Sequence, residues 1–377
     1  MTHWDNVIKG RGFPQPIKNK VPDFAFSQVN MTGNLYNPVI DHMWIDEKGE
    51  KPKWPDNKPY AVCITHDVDV ISLQSNKENF RRMKHVMKTW SQQNAKQNLI
   101  IAFESLQNIA NSMFSSQDPY HRIEDWLKVE QEVGARSTFF FAPEHVLQPH
   151  YSDCWYKYDD KLRFEGENIT IAELMRELNR RGWEIGLHPS WYSYNSVDEM
   201  KYQKEQIEKV LDCEIVSVRQ HFLHFDNKIT PSVQEAAGFK YDSTLGFNDN
   251  IGFRRGTSYA YPLYNIENNK TLPSWEIPLI IQDGAMFHPK KGMRLDKVKA
   301  LEYIQMIAEK VKEVGGILTL LWHPHSIVDE ISWNTFQEAL QMLKKDNPWF
   351  ATVSEVGDWW KSKVNIDIVS FIEGKNN

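Results

Sequence analysis

Side chains that can bind a metal ion or transfer a proton stand at the ends of five predicted strands. In the first, the apolar run AVCIT leads directly into His66, Asp67 and Asp69. In a barrel of parallel strands, side chains just past the C-terminal strand ends converge on one mouth, where the chemistry takes place. The spacing of these groups along the chain therefore predicts a metal-dependent hydrolase site. The other four groups contain His188, then Arg219 with His221, then Asp242, and finally His323 with His325.

The two aspartates of the first group are suited to unequal roles. Asp67 and Asp69 flank Val68, so the alternation of a strand directs both carboxylates to the same side. One carboxylate can bind a cation while the other accepts a proton from a water molecule. A turn or a helix cap is the alternative for a single Asp, but the β-branched run before this pair favours a site.

The later groups contain an arginine, a histidine that could act as an acid and a histidine that could bind a metal. Arg219 follows the run IVSV and could pair with Asp67, which would keep that carboxylate ionised. His323 follows ILTLLW and could act as a general acid, because imidazole titrates near neutral pH. A single histidine such as His188 is often structural, yet the neighbouring strand ends favour a ligand role.

Composition places the chain among ordinary globular proteins. Its 377 residues are 41% hydrophobic and 25% charged, which is enough for one large α/β domain. The net charge of −6 and the pI near 6.1 argue against nucleic acid as a partner. Three cysteines without motif spacing indicate no disulfide framework. We find no signal-peptide pattern and no transmembrane segment, so we expect a cytoplasmic protein whose oligomeric state is open.

The order of predicted elements indicates the fold class. Residues 1–58 form an irregular N-terminal segment that we expect to pack on the main domain. From Tyr60 onward, about seven strands alternate with helices, which predicts a barrel-like α/β fold over residues 59–365. Residues 75–120 read as a helical insertion after the first strand.

Several of these motifs together resemble those of a known superfamily. CITHDVD, STFFF, GLHPSWYS, VRQHF and LLWH resemble the motifs of the polysaccharide deacetylases, which have the NodB-homology fold and form carbohydrate esterase family 4. The match is best to the branch whose first motif reads T-H-D-V-D, and it runs from about Tyr60 to about Trp360. The resemblance implies a distorted (β/α)7, TIM-like barrel and a divalent metal, most often zinc.

The resemblance also implies a role for each matched residue. Asp67 would be the general base and Arg219 would orient it. Asp69 and His188 would be metal ligands, and His323 would be the general acid.

Two positions depart from the family pattern. Tyr192 stands where the second metal histidine is expected, and His221 stands where a proline is usual. We interpret this as compensation, in which His221 completes a ligand set of two histidines and one carboxylate. His224 is a weaker candidate ligand, and loss of metal binding is the alternative.

The sequence thus predicts a metal-dependent hydrolase that removes an acetyl group from an acetylated sugar or glycan precursor. One alternative is an amidase that acts on a non-sugar C–N bond with the same fold. The other is a metal-free, glycan-binding pseudoenzyme. The sugar, the acyl group, the choice between N- and O-deacetylation and the metal identity are open at this stage.

Overall fold

The structure is a computed structural model, and it describes residues 17–18, 21–22, 35–73, 75–89, 95–112 and 118–372. These residues form fourteen strands and eleven helices, with short 3-10 turns between them. The strands are β1 Ile17–Lys18, β2 Val21–Pro22, β3 Ala61–Val68, β4 Thr138–Phe141, β5 Lys161–Phe164, β6 Glu167–Thr170, β7 Glu184–Leu187, β8 Ser217–Val218, β9 Tyr241–Asp242, β10 Tyr261–Asn265, β11 Lys270–Glu276, β12 Ile281–Gln282, β13 Ile317–Leu321 and β14 Trp349–Phe350. The helices are α1 Val39–Lys48, α2 Asn76–Thr89, α3 Ala95–Ser112, α4 Ile123–Glu132, α5 Ile171–Arg180, α6 Val197–Leu211, α7 Thr230–Ala236, α8 Asp283–Phe287, α9 Lys297–Val314, α10 Glu330–Lys344 and α11 Val353–Ile372.

The central sheet follows the chain order. Strands β3, β4, β7, β8, β9 and β11 pair side by side and in parallel, and β12 and β13 continue in parallel from the other side of β3. Helices lie between most successive strands, as in repeated βαβ units. The predicted α/β fold with a parallel sheet is therefore confirmed.

The two ends of this sheet belong to one continuous stretch of chain. Strand β11 pairs with β9 and strand β12 pairs with β13, and residues 277–280 join β11 to β12. The amide of Ile277 donates to the carbonyl of Asp242, and the amide of Ile280 donates to the carbonyl of Thr319. If β11 and β12 are counted as one interrupted strand, seven parallel strands follow one another in a ring, which is the distorted arrangement that the family resemblance implies.

Successive residues of a central strand belong alternately to two different hydrophobic clusters, as β3 shows. Ala61 and Cys63 of β3 pack with Phe140 of β4 in one cluster, whereas Val62 and Ile64 pack beneath the outer helices. All eight residues of β3 are buried, as expected for a parallel strand covered on both faces. Apolar side chains thus fill both sides of the sheet.

Some elements differ from the predicted ones. The N-terminal segment contains helix α1, whose Asp41 accepts hydrogen bonds from the hydroxyl groups of Thr257 and Ser258. The β5–β6 hairpin is absent from the prediction, because only the pair Glu165–Gly166 separates two very short strands. Strands β8 and β14 are only two residues long, shorter than their apolar runs suggest. Helices α2 and α3 occupy the predicted insertion, while the predicted domain boundaries stay a prediction.

The first testable prediction concerns the close approach of β4 and β7. A Cβ atom on Gly186 would lie 2.6 Å from the Phe140 ring and 2.9 Å from the carbonyl oxygen of Ser217. Gly186→Ala should therefore lower the free energy of unfolding by about 1–3 kcal/mol, the usual cost of overpacking a core. Urea unfolding with Gly284→Ala as the control tests this, because a Cβ on Gly284 meets its nearest neighbour at an ordinary 3.5 Å. Equal midpoints for the two variants would contradict it.

Candidate metal centre and active site

The six side chains predicted to form the site lie at one end of the ring. Asp67 is the penultimate residue of β3, and the other five lie one to three residues past the end of a parallel strand. Four of them are at least 95% buried, whereas Asp69 and His323 expose about a fifth of their side chains. The six are Asp67, Asp69, His188, Arg219, His221 and His323.

Asp69, His188 and His221 form a compact cluster. The distance from His188 Nε2 to Asp69 Oδ1 is 3.1 Å, and that from His221 Nδ1 to Asp69 Oδ1 is 3.4 Å. His188 Nε2 and His221 Nδ1 are 2.8 Å apart. The potential ligand atoms of all three residues lie within 4.8 Å of one another. His221 thus lies beside His188, while its role as the compensating ligand stays a prediction.

Main-chain carbonyls fix the protonation of both rings. His188 Nδ1 lies 2.7 Å from the carbonyl oxygen of Arg219, and His221 Nε2 lies 2.7 Å from that of Ser152. A carbonyl can only accept, so each of these ring nitrogens carries the proton. The facing nitrogens then both present lone pairs, which repel unless a proton or a cation lies between them. Two imidazoles and one carboxylate are a suitable donor set for a divalent metal.

The charges within the cluster reinforce one another. Burial alone would raise the pKa of Asp69, but the adjacent His221 and His188 rings outweigh it and hold that pKa well below its usual range. Burial would lower the pKa of His221, yet the Asp69 carboxylate outweighs it and raises that pKa. The cluster is therefore built around one ionised carboxylate that attracts positive charge.

Asp67 lies beside the cluster but is held by a different partner. Arg219 Nη1 is 3.4 Å from Asp67 Oδ1 and 2.7 Å from Thr65 Oγ1. The rest of the guanidinium donates to the carbonyl and hydroxyl oxygens of Ser243, each at 2.7 Å, and lies over the Phe140 ring at 4.8 Å. A fully buried cation thus faces Asp67 from inside the ring, and it leaves Asp67 Oδ2 directed toward His188 at 3.9 Å.

His323 is paired with an aspartate that the sequence analysis did not single out. Its Nδ1 lies 2.7 Å from Asp283 Oδ1, and its amide donates to Asp283 Oδ2 at 2.9 Å. His323 Nε2 is directed toward Asp69 Oδ2, 3.6 Å away. Burial would lower the pKa of His323, but the carboxylates of Asp283, Asp69 and Asp67 outweigh it and raise it to about 10. Asp283 lies two residues after the apolar run WEIPLII (residues 275–281), so the strand-end rule used for the other groups would have found it.

Three other residues considered from the sequence lie outside the metal cluster. Tyr192, at the expected second-histidine position, contacts the His150 ring edge-on. His224 stacks on Tyr194, and burial lowers its pKa to about 4. Asp242 accepts hydrogen bonds from Gln234 and Thr244, which ties the end of β9 to helix α7.

A broad groove lies next to the cluster without containing it. Its volume is about 1320 Å³, and it begins at Ile71, two residues after Asp69. Charged side chains of both signs, including Lys77, Glu78 and Asp160, line it. The groove and the reactive side chains are thus neighbours, with Ile71 of the groove two residues after Asp69.

Comparison with known proteins supports the fold directly. No protein-family model matches the sequence, and no curated protein matches it. Solved structures do match: a protein from Mycobacterium smegmatis provisionally named a polysaccharide deacetylase has a TM-score of 0.53 and 18% identity, covering 83% of this chain and 94% of its own. The chain has the fold of the polysaccharide deacetylases. The allantoinase PuuE shares this fold, with a TM-score of 0.51 and 14% identity over the same shares of the two chains.

The polysaccharide deacetylase fold agrees with the family predicted from the motifs. The narrower assignment to the branch with T-H-D-V-D stays a prediction, as does the role of each site residue. No helix among the described residues is both long and apolar enough to cross a bilayer.

The second testable prediction separates His221 from His224. His221→Ala should reduce the affinity for a divalent metal by about 10-fold or more, because it removes one of three ligands. His224→Ala is the matched control: it removes another buried histidine from the same loop, one that lies outside the cluster. Zinc titration of the metal-free proteins by calorimetry, with elemental analysis, measures both. Unchanged zinc affinity in His221→Ala would disprove the compensation hypothesis.

Proposed function

We propose that this chain is a metal-dependent hydrolase that removes an acetyl group from an acetylated sugar or glycan precursor. The observation that carries the proposal is the close approach of His188 Nε2, His221 Nδ1 and Asp69 Oδ1, with Asp67 Oδ2 3.9 Å from Nδ1 of the same His188 ring. A cation site next to a separately held carboxylate is an arrangement that can hydrolyse an acyl group.

Asp69, His188 and His221 would hold the cation. When bound, a divalent cation supplies Lewis-acid chemistry, polarising an acyl carbonyl and making a water molecule more acidic. Zinc, the metal that the family resemblance implies, accepts this donor set. In catalytic zinc sites such a set leaves a coordination position open for water or substrate.

Asp67 would act as the general base. Its Oδ1 faces the Arg219 guanidinium, which attracts the carboxylate and restricts its rotation. Its Oδ2 lies 3.9 Å from Nδ1 of the His188 ring and is the atom that would take a proton from the attacking water. Arg219 would therefore be a positioning residue, since it contacts Asp67 from the interior of the ring.

His323 would act as the general acid. Its Nδ1 is engaged by Asp283, so Nε2 is the nitrogen that would donate a proton to the departing amine or hydroxyl. Nε2 lies on the Asp69 side of the mouth, where a leaving group would depart as water attacks. Asp283 would keep the ring charged until that transfer.

An amidase acting on a non-sugar C–N bond is the second candidate. The allantoinase that shares the fold favours it, because its name identifies a substrate that is not a polysaccharide. The same residues would serve either reaction. A panel of N-acetylated chito-oligosaccharides and allantoin, assayed for acetate release and ring opening respectively, distinguishes the two.

No turnover of either substrate class by the zinc-loaded protein, together with glycan binding, would favour the pseudoenzyme alternative. A cytoplasmic location stays part of this proposal.

The third testable prediction concerns the general base. Asp67→Asn should lower kcat by about 100-fold or more, because asparagine cannot accept the proton of the attacking water. Its zinc content should equal that of the wild type, because Asp67 is not among the three clustered ligands. Single-turnover acetate release and elemental analysis check the two parts. A variant that keeps near wild-type turnover would remove Asp67 from the mechanism.

The fourth testable prediction concerns His323 and pH. Because its pKa is raised, the protonated donor form persists above pH 7 and disappears only as the pH rises toward 10. A cation beside Asp69 would oppose this rise in the pKa of His323. The basic limb of the pH profile of kcat/KM should therefore lie between pH 7 and about pH 10. His323→Ala should abolish that limb and slow amide substrates more than activated esters, whose leaving groups need no proton. Equal losses on both substrate types would assign His323 a structural role instead.

A further inference from the structure

We infer that the helical insertion formed by α2 and α3 is a docking surface for an anionic lipid bilayer. This inference does not depend on the proposed reaction. It rests on where the insertion places its apolar side chains, on its charge and on its attachment to the mouth.

The two helices expose apolar side chains that have helical spacing. On α2, Phe80 and Met87 are 60% and 78% exposed, and they lie seven residues apart on one side of the helix. On α3, Leu99, Phe103 and Leu106 are 58%, 69% and 55% exposed, at spacings of four and three residues. An isolated exposed hydrophobic residue is ordinary, but regular apolar stripes on paired helices are not.

This exposure is concentrated in the insertion. Five of the fourteen large apolar side chains that are exposed in the described part of the chain lie within residues 80–106. The remaining nine are distributed from residue 43 to residue 331. Helices α2 and α3 pack against each other, so these stripes face away from the contact that stabilises the pair.

The charge of the insertion is opposite to that of the chain. Residues 75–112 contain six Lys and Arg and two Asp and Glu, a net charge of +4, whereas the whole chain carries −6. The remaining residues therefore carry −10. Lys84 lies between Phe80 and Met87 on the exposed side of α2. Aromatic and aliphatic side chains interleaved with lysine suit the interface of a membrane that contains acidic lipids.

The charge also argues against self-association through this face. Two copies joined by their insertions would bring two segments of +4 together, which is unfavourable. A bilayer with acidic headgroups instead supplies negative charge and an apolar layer at once. None of the helices in the described chain can span the bilayer, so the contact would be interfacial.

The insertion is firmly attached to the rim of the mouth. Arg81 pairs with Asp160 at 2.5 and 2.9 Å and donates to the carbonyl of Trp155 at 3.0 Å. The same loop includes Ser152, whose carbonyl orients His221. A bilayer bound to the helices would therefore lie close to the groove that begins at Ile71.

Co-sedimentation of the full-length protein with vesicles tests the inference. We expect binding to vesicles of phosphatidylcholine mixed with phosphatidylglycerol, weakened by salt, and little binding to phosphatidylcholine alone. Phe103→Ser should reduce the partition coefficient about 10-fold or more, and Lys84→Ala about 5-fold. Val298→Ser is the matched control for the apolar stripe, because Val298 is 62% exposed on α9, and Lys299→Ala is the control for charge.

Three results would overturn the inference. The first is absence of binding to the anionic vesicles, and the second is an equal loss in the Phe103 and Val298 variants. The third is a dimer, measured by light scattering, that Phe103→Ser dissociates, because the face would then bind a second copy of this chain. Asp67→Asn should bind vesicles like the wild type, so failure of the proposed reaction leaves this test intact.

Discussion

Two imidazole nitrogens meet 2.8 Å apart beside an ionised carboxylate, and the rest of the site depends on this contact. Neither ring can turn its proton inward, because each already donates to a main-chain carbonyl. A proton or a cation between the two nitrogens would relieve the repulsion of their lone pairs. The hydrogen bonds behind the two rings therefore favour positive charge at this point.

The ring of parallel strands makes this contact possible. His188 and His221 leave neighbouring strands, and Asp69 leaves a third strand on the same side of the ring. The fully buried Arg219 fills the interior beneath Asp67, where Phe140 and Ser243 hold it. Burial lowers the pKa of Arg219 even though Asp67 and Asp242 raise it, so the cost of enclosing the cation is only partly offset. Because Arg219 is enclosed in this way, it stays paired with Asp67 Oδ1, and Asp67 Oδ2 is left facing the His188 ring.

The sequence allowed prediction of the parts of the site that follow a simple local rule. Asp67, His188 and His323 each follow an apolar run, and such runs identify parallel strands buried on both faces. The same rule applies to Asp283. The strand before it is short and is interrupted near Pro278, so it is hard to identify in the sequence. The carbonyl of Ser152 could not be predicted, because its role comes from a loop fold and every residue has a carbonyl. The exposed stripes of α2 and α3 have the same periodicity as buried ones, so only the structure shows which side faces solvent.

The hydrogen bonds from main-chain carbonyls to both histidine rings have a consequence for the evolution of this site. A side chain that orients a ligand can be lost by a single substitution, whereas a carbonyl is present whatever residue occupies the position. Any histidine appearing at position 221 would find the Ser152 carbonyl already in place, provided that the loop keeps its path. A ligand could thus move from the position of Tyr192 to that of His221 without a second mutation to orient the new ring. Such backbone support would let the position of a ligand change while the geometry of the site is kept.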